Sequence, residues 1–247
     1  MPLTAEQEWT LVSCGLLALA DRVLTGGEAA RLLAMVESYL DPEEQDLWMD
    51  LVADKAALEA HFEQLRAPPA ANHLALLERV WAIALADGDA SLTEIRVFER
   101  IGERLSIDGA QLIVHRKTWT YAAMERAEVV AGFAANLLQR GAAATPKEHT
   151  LYETLVGRLP LSKSRRARIL GEIDAPPTLE SLAAILKRFD RARQMETLRS
   201  IADAVVRTER REAAREQMAE FVAVAGLPPT VADGLHGFAP VQDKPAS

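Results

Sequence analysis

A single cysteine, Cys14, in 247 residues excludes an internal disulfide and any multi-thiolate zinc site. It lies in the apolar run 11–20, where a thiol packs as a small apolar group rather than serving as a nucleophile. Aromatic residues are scarce, at 5%. No apolar run approaches the ~18 residues a membrane span needs. Residues 1–9 are acidic and mixed, with no basic segment ahead of an apolar core. No membrane span and no signal peptide are expected, and the expected location is cytoplasmic. A Gly-rich phosphate loop, a nucleophile elbow and a paired His–Glu helix motif are also missing. The histidines, His61, His73, His115, His149 and His236, are scattered and form no pair at i, i+4 spacing. These absences argue against an enzyme.

What the chain has is helix-forming apolar content. Hydrophobic residues make up 49%, carried by alanine and leucine, which favour helix over strand. The net charge of −8 repels nucleic acid and anionic lipid wherever no local basic patch intervenes. Proline pairs at Pro68-Pro69, Pro176-Pro177 and Pro228-Pro229 mark boundaries, because none can continue a helix. Helical periodicity predicts elements over 5–21 and 28–40, one starting at Asp41-Pro42 and carrying Leu47, Trp48 and Leu51, then 55–65, 72–86 and a helix capped by Ser91 or Thr93 that runs to Leu105. It continues from 108 past 121, then over 124–139, 146–159, 162–171, 178–189, 191–207 and 209–225. The first helix would turn Trp9, Val12, Leu16 and Leu19 to one side, and Gly26-Gly27 would break the chain before the second. Asp41-Pro42 reads as a helix start, with a capping residue and a proline at the first helical position.

The stretch with chemical potential is Ala84-Leu85-Ala86-Asp87-Gly88-Asp89-Ala90-Ser91-Leu92-Thr93-Glu94. It reads as a helix end, a tight acidic turn and the capped start of another helix, with Ser91 and Glu94 at capping-box spacing. The pattern recurs. Ala18-Leu19-Ala20-Asp21 repeats Ala84-Leu85-Ala86-Asp87, and a glutamate follows seven residues after each aspartate, at Glu28 and Glu94. Leu32, Met35 and Tyr39 then match Phe98, Ile101 and Leu105. A third copy aligns Glu148 with Tyr152, Leu155 and Leu159 but has Gly141 in place of the aspartate. A fourth aligns Met218, Phe221 and Ala225, with Arg207 and Ala214 at the acidic positions.

An Ala-Asp-Gly turn closing an apolar helix, with a glutamate seven residues after the aspartate opening the next, resembles the TerB-like (tellurite-resistance) family. The match is clearest over 74–115, weaker over 10–40 and faint beyond 120. Arg22 stands where the family has glycine, and Ala90 where it has an isoleucine-type residue. The resemblance implies an all-α fold of two related helical halves, each bringing an Asp-Gly…Glu turn to a shared acidic surface. It further implies divalent metal binding there, a link to tellurite and chemical stress, membrane-associated complexes as partners, and no established enzymatic activity. The chain is accordingly expected to be all-α, with tandem TerB-like domains over 5–118 and 120–238 and a tail over 239–247.

The oxygens of Asp87, Asp89 and Glu94 suit calcium or magnesium. The spacing Asp-Gly-x5-Glu matches the second half of an EF-hand loop, but Ile83 and Leu85 occupy the positions of its leading acids. A full EF-hand is excluded, and further ligands would come from Asp21 and Glu28 if the two turns meet. The local alternative makes Asp87-Gly88 a helix C-terminus and Glu94 a cap. A hydrolase using Asp87 and Glu94 lacks substrate-orienting residues. The arginine-rich second half (Lys163, Arg165, Arg166, Arg168; Lys187, Arg188, Arg191, Arg193; Arg207, Arg210, Arg211, Arg215) offers a competing role, docking a protein or nucleic-acid partner. The plainer reading makes these solvated faces paired with Glu209, Glu212 and Glu216, and makes nucleic acid a disfavoured partner.

Overall fold

A computed structural model describes residues 3–21, 26–86, 88–140, 143–205 and 210–235. Asp87, Gly141, Arg207 and the tail over 239–247, all named above, lie outside the described residues. The described residues form thirteen α-helices and one short 3-10 turn, without a strand. In the first part are α1 (Ala5–Ala18), α2 (Gly26–Tyr39), α3 (Pro42–Ala53), α4 (Lys55–Gln64), α5 (His73–Ala84) and α6 (Leu92–Arg104). There follow α7 (Gly109–Gln139), α8 (Pro146–Arg158), α9 (Lys163–Gly171), α10 (Leu179–Leu186), α11 (Arg191–Val205), α12 (Arg211–Val224) and α13 (Thr230–Asp233). They divide into two compact units, Met1–Ala123 with Arg158–Ser162, and Met124–Gly157 with Lys163–Ser247.

The first unit is built around α1, which packs against α2, α3, α4, α5 and α6. Every residue from Trp9 to Ala18 is buried. The expected one-sided stripe is therefore corrected: Leu11 to Ala18 is apolar nearly all round, and a helix of that kind is enclosed rather than laid on a surface. Thr10, one of its polar residues, turns inward on the helix and donates from Oγ1 to the Glu6 carbonyl at 2.7 Å. The few aromatics concentrate here. Trp9 meets Phe62 edge-on at 5.2 Å and donates from Nε1 to the Arg66 carbonyl at 2.6 Å. Trp81 packs on Phe98 at 4.8 Å and donates to Thr120 Oγ1 at 2.9 Å. Each indole thus buries its ring and satisfies its N–H, as a buried tryptophan must.

Several helix bounds differ from those read in the sequence. The first helix stops at Ala18, with Leu19 as its C-cap, so Asp21 lies beyond it. Gly26 and Gly27 do not break the chain but form the first turn of α2, where the N–H groups have no intrahelical partner in any case. The two stretches meeting between 121 and 124 are one helix of 31 residues, because neither proline nor glycine stands where they meet. In the second unit, α7 contributes Phe133, which meets Phe221 of α12 at 5.5 Å. The fully buried Gln217 donates from Nε2 to the Phe133 carbonyl at 2.9 Å.

Cys14 has no exposed surface, and burial pushes its thiol up to about 12. Its reaction with a disulfide-exchange reagent is expected to follow global unfolding, with no native-state phase. A fast native phase, measured by absorbance during mixing, would contradict this packing.

Candidate functional site

The second acidic turn begins where α5 runs out. Leu85 caps it, Ala86 N–H bonds back to the Ile83 carbonyl at 2.8 Å, and Gly88 N–H to the Leu85 carbonyl at 3.1 Å. Gly88 then takes φ +105°, a conformation that L side chains rarely adopt. The space is closed as well: a Cβ on Gly88 would lie 2.0 Å from the Leu161 carbonyl oxygen. Ser91, not Thr93, caps α6. Its Oγ accepts from Glu94 N–H at 3.2 Å, and the Glu94 carboxylate accepts from Ser91 N–H at 2.6 Å.

The first turn comes up against the second. A Cβ on Gly27 would sit 3.5 Å from Ala86 Cβ and 3.6 Å from its carbonyl oxygen, so the start of α2 abuts the end of α5. Arg31, one turn into α2, donates to the Ala82 carbonyl of α5. Lys55 donates to the Leu19 and Ala20 carbonyls at 3.0 and 3.2 Å. Both helices that precede an acidic turn thus end on a cationic side chain, which complements the negative end of the helix dipole.

Glu94 and Glu28 are buried, at 6% and 5% exposure, while Asp21 and Asp89 are exposed. Burial raises the Glu94 carboxyl above its usual range; the Ser91 bonds pull it down, and the charges of Glu28 and Asp21 push it up again. Glu28 and Asp21 therefore both lie within electrostatic reach of Glu94. Asp89 faces solvent and is not among the charges that shift Glu94. Among the described residues, which leave out Asp87, no three His, Cys, Asp or Glu side chains are arranged to hold a metal ion.

The second unit repeats the local device with the opposite charge around it. Thr145 N–H donates to Glu148 Oε2 at 2.8 Å, and Glu148 N–H to Thr145 Oγ1 at 3.3 Å. Arg210 then closes on the carboxylate, Nε to Oε1 at 2.6 Å and Nη2 to Oε2 at 3.1 Å. That guanidinium, helped by the Thr145 N–H, holds the Glu148 carboxyl down to about 2. The expected pairing of this arginine cluster with acids on its own helix is corrected for Arg210, whose partner lies 62 residues away. Arg165 and Arg168 reach across to Glu128 of α7 at 2.7 and 2.8 Å, and Arg188 to Glu125, while Arg168 also makes an i, i+4 pair with Glu172 at 3.1 Å. Arg31, Lys55, Arg210 and Leu161 were all missed as parts of these turns. Their contacts are long-range and leave no spacing signal in the sequence.

These features define an all-α protein in which the buried carboxylates Glu28, Glu94 and Glu148 sit at helix starts. Residues 7–117 match the family described as Tellurite resistance protein TerB. The chain matches no curated protein and no solved structure.

Gly88→Ala is expected to lose about 3 kcal/mol in urea denaturation, through both the positive φ and the Leu161 clash. Gly27→Ala, with ordinary contacts, should lose nothing. Glu148 has a lowered carboxyl, so its contribution is present above its ordinary value of 4.5 and is lost as pH falls toward about 2. Glu148→Gln should flatten this acid limb of the stability profile. Glu94 is raised, so its contribution runs the other way, present at low pH and lost as pH rises through its folded value. Glu94→Gln keeps an acceptor for Ser91 and should therefore melt no lower than the parent at pH 7 in metal-free buffer, whereas Glu94→Ala should melt lower.

Proposed function

We propose that this protein is a non-enzymatic, cytoplasmic TerB-type protein of tellurite or chemical stress. In this reading its first unit binds a divalent cation, calcium or magnesium, through Glu94, Glu28 and Asp21 together with Asp87 and Asp89 of the second turn. The observation that supports it is the meeting of the two turns, Gly27 against Ala86, which sets Glu28 and Asp21 where their charges act on Glu94. Like charges gathered around a buried carboxylate are relieved by a proton or by a cation. All the available donors are carboxylate oxygens, which suit a hard cation and offer nothing to a soft one. The ion would tie the end of α5 and the starts of α2 and α6 into one surface, and a protein partner, in a membrane-associated complex, would read that surface. Among the described residues no helix is long and apolar enough to cross a membrane. The competing role for the arginines of the second half finds less support, because Arg165, Arg168, Arg188 and Arg210 are already engaged with carboxylates.

Calorimetric titration of the chelator-treated full chain with calcium chloride, and separately with magnesium chloride, tests this reading. Saturable binding and a raised melting temperature are expected, and both should be missing from Glu28→Gln/Glu94→Gln. No heat and no thermal shift through millimolar calcium and magnesium would defeat it.

A further inference from the structure

Arg210 does more than pair with Glu148. Its Nη1 also donates to the Arg140 carbonyl at 2.6 Å, and to those of Leu138 and Leu137 at 3.3 and 3.4 Å. These carbonyls stand at the C-terminal end of α7, where N–H partners run short, although Leu137 still accepts from Arg140 N–H at 3.2 Å. The guanidinium is thus enclosed by five oxygens, three at the negative end of one helix and two from the carboxylate that opens the next. The Arg210 and Glu148 side chains are only 13% and 10% exposed. Every acceptor around that point is anionic or partly negative, which is the description of a cation site. Among the described residues the Glu148 carboxylate brings one full negative charge, and its flat fork of acceptors suits a guanidinium better than a divalent ion, which needs more carboxylates.

Glu94 gives the comparison. It occupies the same capping box, three residues after a cap hydroxyl and equally buried, yet the charges it meets are those of Glu28 and Asp21. The charges of Glu28 and Asp21 raise the Glu94 carboxyl, whereas the Arg210 guanidinium lowers that of Glu148.

We propose that the junction of α7 and α8 is a cation-binding site whose resident cation is the Arg210 guanidinium. The second unit then needs no metal ion, and any divalent-cation response belongs to the first unit alone. That last point rests on the function proposed above; the site itself does not. Emptied of its side chain, the junction takes a small free guanidinium ion.

Chemical rescue tests it on the full chain. Arg210→Ala should melt several degrees below the parent, and low-millimolar methylguanidinium chloride should restore most of that loss in a saturable way, where sodium chloride at equal ionic strength does not. The parent and Glu148→Ala/Arg210→Ala should not respond. An Arg210→Ala protein as stable as the parent, or one that methylguanidinium stabilises no more than the double variant, would overturn the proposal. Should Arg210→Ala fail to fold, the parent still decides it by NMR. One arginine Nε–H resonance, absent from Arg210→Lys, should exchange with solvent far more slowly than those of exposed arginines, and rapid exchange would overturn the proposal. No step uses a metal, so a chain that binds no calcium defeats only the reading of the first unit.

Discussion

A glutamate folded back onto the N–H of the residue three places before it opens both α6 and α8, and the architecture of the turns depends on that interaction. The reciprocal bonds of Ser91 with Glu94 and of Thr145 with Glu148 satisfy N–H groups that no helix can. They also carry a full charge into a nearly dry position. A buried carboxylate has to be answered by a proton, a cation or a loss of stability. Identical local geometry has been answered in opposite ways, with like charges around Glu94 and a guanidinium around Glu148. The capping box fixes where the charge sits, and the surroundings decide what the charge is for.

Positive side chains at helix ends form the other half of this arrangement. Lys55 closes α1, Arg31 closes α5 and Arg210 closes α7, each from a distant element. A carbonyl terminus and a neighbouring carboxylate both favour a cation, so lysine and arginine collect wherever a helix gives way to an acidic turn. In the first unit these cations sit on the carbonyls that end α1 and α5. In the second, a single arginine serves helix carbonyls and carboxylate alike.

What the sequence disclosed was local or periodic. Ser91 and Glu94 were legible from spacing, Gly88 from its place in a turn, and the packing of Phe98, Ile101 and Leu105 from helical periodicity. Aligning the repeated turns also singled out Glu28, Glu94 and Glu148, which are three of the four buried glutamates among the described residues. Where the reading fell short, the cause was distance along the chain. Nothing near Arg210 points to Glu148, and nothing near Gly88 points to Leu161. The burial of α1 on all sides was missed for a different reason: choosing one face of an apolar helix presumes an exposed face, and this helix has none.

The backbone of Leu161 against Gly88 gives position 88 a conditional kind of constraint. The segment Arg158–Ser162 belongs to the first unit although the chain has by then entered the second, so the polypeptide passes between the units three times. The TerB match ends at residue 117, well short of that returning segment. A recombination event that carried only the matched region into another chain would take the glycine and leave behind the carbonyl that crowds it. The steric half of the selection on residue 88 would then relax, and only the backbone dihedral would still call for glycine. Inheritance of this turn is therefore tied to a segment that sequence similarity alone would discard.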